Sequence, residues 1–252
     1  MIAFLRQTIS IKYIVIKIIL FSFLLVSITH AKVKISVEYS ESANYFDIMD
    51  NLSSWWDGFT DIEYSMEWEK RNGVKTHEDI RLFEKYAKLR KQYYKDPDQK
   101  EKDPLKNRNG FFSMSSSAKA DPMAEAFYSS LTLDEAYKKL ENKLNLEEID
   151  FLKSFYLHFK IQAEVFLKES EAFRAILPKM RKSLTGNKVT SYFSKVANFY
   201  NVEPSLEYRI LYVWFPPIER SNASPTEKYL VMRYNPIKAL KIAEEDSDIA
   251  FH

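Results

Sequence analysis

The stretch KVKISVEYSESANYFDIMDNLSSWW, residues 32–56, contains two hydrophobic periodicities in succession. Over residues 32–40, apolar and polar side chains alternate, which is typical of a half-buried β-strand. From Tyr45 to Trp56, apolar side chains instead recur every three or four residues, which predicts an amphipathic helix. The segment therefore predicts a strand that leads directly into a helix.

Helical patterns continue through the middle of the chain. We expect a helix that begins after Thr76, because Asp79 follows three residues later as in a capping box. Thr132 and Glu135 predict a second helix start of the same kind. A long amphipathic pattern then ends before Pro178, and another helix is expected over residues 187–200. The charged runs of these helices, including RKQYYK at residues 90–95, are interpreted as solvated faces.

The period changes again near the end of the chain. LEYRILYVWFPPI (206–218) and KYLVMRYNP (228–236) are rich in β-branched and aromatic residues, and each ends at proline. They are expected to be a hairpin or neighbouring strands, joined by the polar loop 219–227. Together these patterns predict an α+β class for a single domain over residues 32–252. It would be mostly α-helical, with a small mixed or antiparallel sheet.

Residues 95–122 are expected to form a long flexible loop. This segment holds three prolines, alternating charges and a serine triplet. Loops of this length inside a compact domain are usually functional or disordered, and we favour disorder here.

Residues 1–31 have the pattern of a secretory signal peptide. Three basic residues and no acid precede an uncharged apolar run, and Ala31 stands at the predicted cleavage site. The chain is therefore expected to be exported to the periplasm or secreted. The alternative is an uncleaved membrane anchor over residues 13–29, which would be its only membrane contact. The leader contributes +3 to a formal charge of +2, so the mature chain carries about −1.

Composition excludes several classes of function. The chain has no cysteine, which rules out disulfides, thiolate zinc sites and a cysteine nucleophile. Its four glycines are too far apart to form a phosphate-binding loop. A nearly neutral mature chain also does not favour nucleic acid as a partner.

The final residues, IAFH, stand after the last predicted strand at the expected start of a new helix. This order resembles that of gluzincin-type zinc metalloproteases, in which a mixed sheet leads into an aliphatic-x-x-His-Glu-x-x-His helix. The resemblance implies that His252 is the first zinc ligand. It also implies that Tyr229, Val231 and Arg233 belong to the edge strand that pairs with substrate.

The remaining parts of that zinc motif do not occur in the 252 residues. Catalytic zinc needs three protein ligands around an open position, and only the first is present. We therefore expect no bound zinc and no catalysis by this chain itself. Within the resemblance, it is an inactive remnant or one half of a split gene, whose missing helix a companion chain would carry.

The aromatic content supports an alternative. The chain has 4 Trp, 16 Tyr and 18 Phe, and exported proteins that bind peptides or glycans often present aromatic surfaces. The helical spacing of these residues favours packing in the core instead. An exposed aromatic patch would distinguish the binding protein from the zinc-peptidase-like protein.

Overall fold

A computed structural model describes the larger part of the chain. The described residues are 34–56, 61–94, 121–184, 191, 195, 207–217, 221–225 and 229–238. Several predicted features lie outside them: the signal peptide with Ala31, residues 95–120 of the expected loop, almost all of the helix expected at 187–200, and His252.

The described residues form twelve helices and strands. In chain order these are β1 (Lys34–Glu38), α1 (Glu41–Leu52), α2 (Ile62–Asn72), α3 (His77–Tyr93), α4 (Pro122–Tyr128), α5 (Leu133–Leu140), α6 (Leu146–His158), α7 (Lys160–Ser170), α8 (Ala172–Leu184), β2 (Glu207–Trp214), β3 (Asn222–Pro225) and β4 (Tyr229–Tyr234). The fold is therefore mostly α-helical with one small sheet, as the α+β prediction stated.

The sheet is mixed, with strand order β1-β2-β4-β3. Strands β1, β2 and β4 are parallel, and β3 is antiparallel to β4. Because β4 has a paired strand on each side, the prediction that it is an edge strand is wrong. The sequence did not reveal β3, since its four residues are small or polar, include a proline and show no apolar alternation.

Two helix starts agree with the sequence, and one helix end does not. Thr76 caps α3 in a capping box with Asp79, and Thr132 caps α5. The long helix expected to end before Pro178 is instead three helices, and α8 continues through Pro178 to Leu184. Met180, beyond the proline, is buried with the apolar face of α8, and this burial offsets the hydrogen bond that proline cannot make.

Helices cover both faces of the sheet. Leu211, Val213 and Val231 face the larger core, which contains buried side chains of α1 to α7. The opposite face packs against α8 through the apolar side chains Ile35, Val37, Ile210, Tyr212, Met232, Phe173, Ile176, Leu177 and Met180. None of the helices within the described ranges has the length and apolar character needed to cross a bilayer.

Helix α1 is fixed to the sheet by a polar side chain that continues the strand ladder. Strand β1 ends at Glu38, opposite Leu211, so β2 extends beyond its neighbour. There, the Asn44 amide donates to the carbonyl of Tyr212 (3.2 Å) and accepts from the backbone N–H of Trp214 (2.8 Å). These bonds satisfy buried backbone groups that have no strand partner.

Candidate functional site

Helix α1 is largely buried although it carries several polar side chains. Ten of its twelve residues are buried, and they include Asn44, Asp47 and Asn51. The helix lies between the sheet and the other helices, so polar groups on more than one of its faces need partners from the protein itself. Two of its carboxylates, Asp47 and Asp50, organise separate clusters of charge.

The Asp47 cluster joins α1 to β4. Arg233 donates from Nε and Nη2 to Asp47 Oδ1 at 3.0 and 2.7 Å, and Asp47 is 1% exposed. Tyr128 donates to Asp47 Oδ1 at 2.6 Å. The hydroxyl of Tyr64 lies 2.9 Å from Asp47 Oδ2 and 2.9 Å from the carbonyl of Trp214. The carboxylate is thus surrounded by donors from three other elements.

Charge is balanced in this cluster, which contains one carboxylate and one guanidinium. Burial by itself lowers the pKa of Arg233, but the adjacent Asp47 carboxylate raises it above the ordinary value. Burial, followed by the charge of Asp47, raises the pKa of Tyr64 and of Tyr128. Both phenols therefore remain neutral hydrogen-bond donors.

The Asp50 cluster joins α1 to α3 and to the start of α4. Arg90 donates from Nε to Asp50 at 2.5 Å, and from Nη1 and Nη2 to the two oxygens of Asp121 at 2.7 and 2.8 Å. Its guanidinium lies 4.5 Å from the ring centroid of Trp55 and 5.2 Å from that of Phe46. This cation–π packing completes a site in which the Arg90 side chain is 2% exposed.

Charge is not balanced in the second cluster, where two carboxylates share one guanidinium. Burial raises the pKa of Asp50, Arg90 lowers it without cancelling that effect, and the charge of Asp121 raises it further. For Arg90, burial lowers the pKa, but the two carboxylates together raise it well above the ordinary value. The cluster carries one excess negative charge when both acids are ionised.

These clusters are suited to holding distant segments together. The donors of each guanidinium are directed at carboxylates or at other polar side chains of the protein. Removing one partner would leave a buried charge unpaired, which is strongly destabilising.

The structure does not support the roles that the sequence predicted for three residues of β4 and for the segment 90–95. Tyr229 is buried against the ring of Tyr128, and Val231 is in the core. Arg233 binds Asp47, so none of the three residues of β4 presents a free surface for substrate. The interpretation of residues 90–95 as a solvated face is wrong for Arg90, because its aliphatic and charged parts both face the core.

Zinc is not supported by the described side chains. In the described ranges there is no group of three His, Cys, Asp or Glu that could hold a metal ion. His77 is exposed at the start of α3. His158 lies at the surface, with Nε2 2.8 Å from Asp79. The residues available here do not fit a zinc site, and no catalytic step is assigned to them.

The aromatic side chains form the core. Each Trp, Tyr and Phe in the described ranges is buried or partly buried, and the exposed large apolar side chains there are all aliphatic or Met. The expectation of core packing is confirmed for these residues. The peptide- or glycan-binding alternative therefore lacks its aromatic surface in this part of the molecule.

Sequence reasoning missed Asp47, Asp50 and Arg90. A signal was present, since Arg90 follows Phe83 and Tyr86 at helical spacing and so belongs to the buried face of α3.

Comparisons of the chain with protein-family models, curated proteins and solved structures give no match. Function is therefore inferred from the residues and their geometry.

Proposed function

We propose that residues 32–252 form the body of an exported zinc-peptidase-like protein of the gluzincin type, and that these residues have no hydrolytic activity by themselves. The observation that carries this proposal is the mixed sheet, whose last strand along the chain, β4, is followed at once by a helical turn. This is the order of elements expected from the resemblance to gluzincins.

The start of that turn is well defined. Asn235 Oδ1 accepts from the backbone N–H of Ile237 at 3.0 Å and from that of Lys238 at 3.4 Å. Pro236 occupies the first helical position, where its missing N–H costs nothing. The Asn235 amide also donates to the carbonyl of Pro216 at 2.9 Å, which ties the turn to the end of β2.

Under this proposal, β3 replaces β4 as the strand that pairs with an extended peptide. It is the antiparallel strand at one edge of the described sheet, whereas β4 is enclosed by β2 and β3. Arg233 of β4 then serves to position β3, because its Nη1 donates to Ser224 Oγ at 2.6 Å.

Zinc enters the proposal only through His252, which lies outside the described residues. His252 would be the first ligand, and the remaining ligands would come from residues that are not among these 252. A companion chain is one source of them. Helical spacing of two histidines four residues apart would allow both to reach one zinc ion.

Zinc titration calorimetry tests this assignment. The mature chain alone is expected to show no tight zinc binding. Addition of a polypeptide that carries the Glu-x-x-His continuation, encoded beyond codon 252 or by a neighbouring gene, is expected to produce one tight site. His252→Ala should abolish that site, and the matched variant His77→Ala should retain it.

Two results would overturn the proposal. One is tight zinc binding by the mature chain alone. The other is the absence of any Glu-x-x-His continuation, both in the DNA that follows codon 252 and in the neighbouring genes. Export is tested separately by N-terminal sequencing of the protein recovered from the periplasm or medium, which is expected to begin at Lys32.

A further inference from the structure

An open groove of about 530 Å³ lies beside the end of β1. Arg209 of β2 and the α5 residues Lys138 and Lys139 supply positive charge to its walls, and Leu131 supplies an apolar surface. β1 and β2 lie at the side of the sheet away from β3. The groove is therefore separate from the β3 edge of the sheet.

Two of the cations meet at the end of α4. Lys139 Nζ donates to the carbonyl of Ser129 at 2.6 Å and contacts its Oγ at 3.0 Å. Arg209 donates from Nη1 to the same carbonyl at 3.1 Å. The negative end of a helix attracts such cations, which explains why they lie together despite their like charge.

The groove retains unused hydrogen-bond donors. Among the described residues, Nη1 of Arg209 donates to the carbonyl of Ser129, and Nε and Nη2 make no hydrogen bond. Nη1 also lies 3.8 Å from Glu38 Oε2, which is close enough for an ion pair but too long for a hydrogen bond. Lys138 is exposed and has no ion-pair partner in the described ranges. Glu135 already accepts from the backbone N–H of Leu131 at 2.8 Å. Three cations thus face two carboxylates, one of which is engaged by the backbone.

We propose that this groove binds an organic carboxylate. The free Nε and Nη2 of Arg209 form the planar fork that binds both oxygens of a carboxylate. Lys138 and Lys139 add positive charge at close range, and the Leu131 side chain, which belongs to a residue 45% exposed, packs against the apolar part of the ligand. The volume suits a small organic acid or the last residues of a peptide.

The titration of Lys139 agrees with this assignment. Burial and then the charge of Arg209 lower the pKa of Lys139. An anion bound between the two cations would offset their mutual repulsion. Because salt screens the attraction between exposed charges, binding should weaken as salt concentration rises.

NMR chemical-shift titration at low ionic strength tests the proposal with three probes. They are succinate, N-acetyl-Ala-Leu with a free carboxylate, and the same dipeptide with a C-terminal amide. At least one of the two carboxylate probes, succinate or the free-carboxylate dipeptide, is expected to shift the backbone resonances of Leu131 and Arg209, and the amide is not. A response to succinate alone would identify a free acid as the ligand, and a response to the dipeptide a peptide terminus.

Variants assign the binding to the groove. Arg209→Gln is expected to weaken binding about tenfold or more, because hydrogen bonds to charged groups are lost. Lys138→Gln, at an exposed position that leaves the fold intact, should weaken it less, and Lys88→Gln on α3 is the matched control that should not change it. Three results would each overturn the proposal. The first is equal binding of the amide and the carboxylate, and the second is the absence of shifts at millimolar probe. The third is an affinity that stays unchanged in both Lys138→Gln and Arg209→Gln.

Discussion

Two carboxylates one turn apart on α1 occupy opposite electrostatic situations. Asp47 faces the sheet and pairs with one guanidinium, with two tyrosine hydroxyls as further donors. Asp50 faces the helices and shares Arg90 with Asp121. The negative charges of the two acids therefore have different effects on the stability of the fold. At Asp47 the negative charge is needed to neutralise Arg233, whereas at Asp50 it is in excess.

The largest effect is expected from Asp47→Asn. This change leaves Arg233 buried without a counter-charge, so the free energy of unfolding should fall by about 3 to 5 kcal/mol. Urea denaturation followed by circular dichroism measures the loss. Asp150→Asn, at an exposed position on α6, is the matched control and should have little effect. A loss below about 1 kcal/mol for Asp47→Asn would show that the cluster does not hold the fold together.

Arg90→Lys is expected to cost somewhat less. A lysine keeps the positive charge but cannot bind Asp50 and Asp121 with a planar fork, so about 2 to 3 kcal/mol should be lost. The measurement is again urea denaturation, with Arg81→Lys on the exposed side of α3 as control. Equal stability of Arg90→Lys and the wild type would mean that charge, rather than fork geometry, determines this cluster.

Asp50→Asn is predicted to be milder than the same substitution at Asp47. It removes the excess charge while Asp121 still pairs with Arg90, so we expect a loss of about 1 to 2 kcal/mol at neutral pH. If Asp50→Asn destabilises the protein as much as Asp47→Asn, the contrast between the two clusters does not exist.

The pH dependence of Asp50→Asn sharpens the comparison. The pKa of Asp50 is raised in the folded protein, so the folded state holds this proton more tightly than the unfolded chain. Its contribution to stability is complete below the unfolded pKa of about 3.9, and it declines as pH rises through the folded pKa. The difference in stability between wild type and Asp50→Asn should therefore shrink from acidic to neutral pH.

The smallest effect is expected at the surface pair of His158 and Asp79. His158→Ala should cost less than about 1 kcal/mol, as exposed pairs usually do. Burial by itself raises the pKa of Asp79, but hydrogen bonds from His158 and from Thr76 lower it overall. The contribution of Asp79 is thus present above its unfolded pKa and is lost as pH falls through the lower folded value. Thermal melts at several pH values measure both effects, and a larger loss in His158→Ala than in Arg90→Lys would reverse the predicted order.

Local patterns in the sequence anticipate most of the architecture. Alternation marks β1, and Thr76 and Thr132 mark helix starts, because these signals depend on neighbours in the chain. β3 is missed because its pairing with β4 is tertiary and leaves no periodic trace in four polar or small residues. The continuation of α8 past Pro178 likewise depends on packing against the sheet, which the local sequence does not predict.

The charge clusters could not be paired from the sequence. Asp47 and Arg233 are 186 residues apart, and their contact exists only once α1 packs across the sheet. The burial of Arg90 was detectable from its spacing to Phe83 and Tyr86. Its partners Asp50 and Asp121 could not be predicted. Asp121, for example, follows a long segment, so the local sequence does not show which residue begins the next helix. Periodicity indicates which face is buried, but tertiary packing chooses the partners.

We infer that Asp47 and Arg233 act as one unit that ties α1 to the sheet. A double-mutant cycle of Asp47→Asn and Arg233→Gln, measured by urea denaturation, tests it most directly. We predict that the double variant loses less stability than the sum of the single losses, with a coupling energy of about 2 to 3 kcal/mol. Losses that add to within about 0.5 kcal/mol would show that the two residues act independently and would contradict the claim.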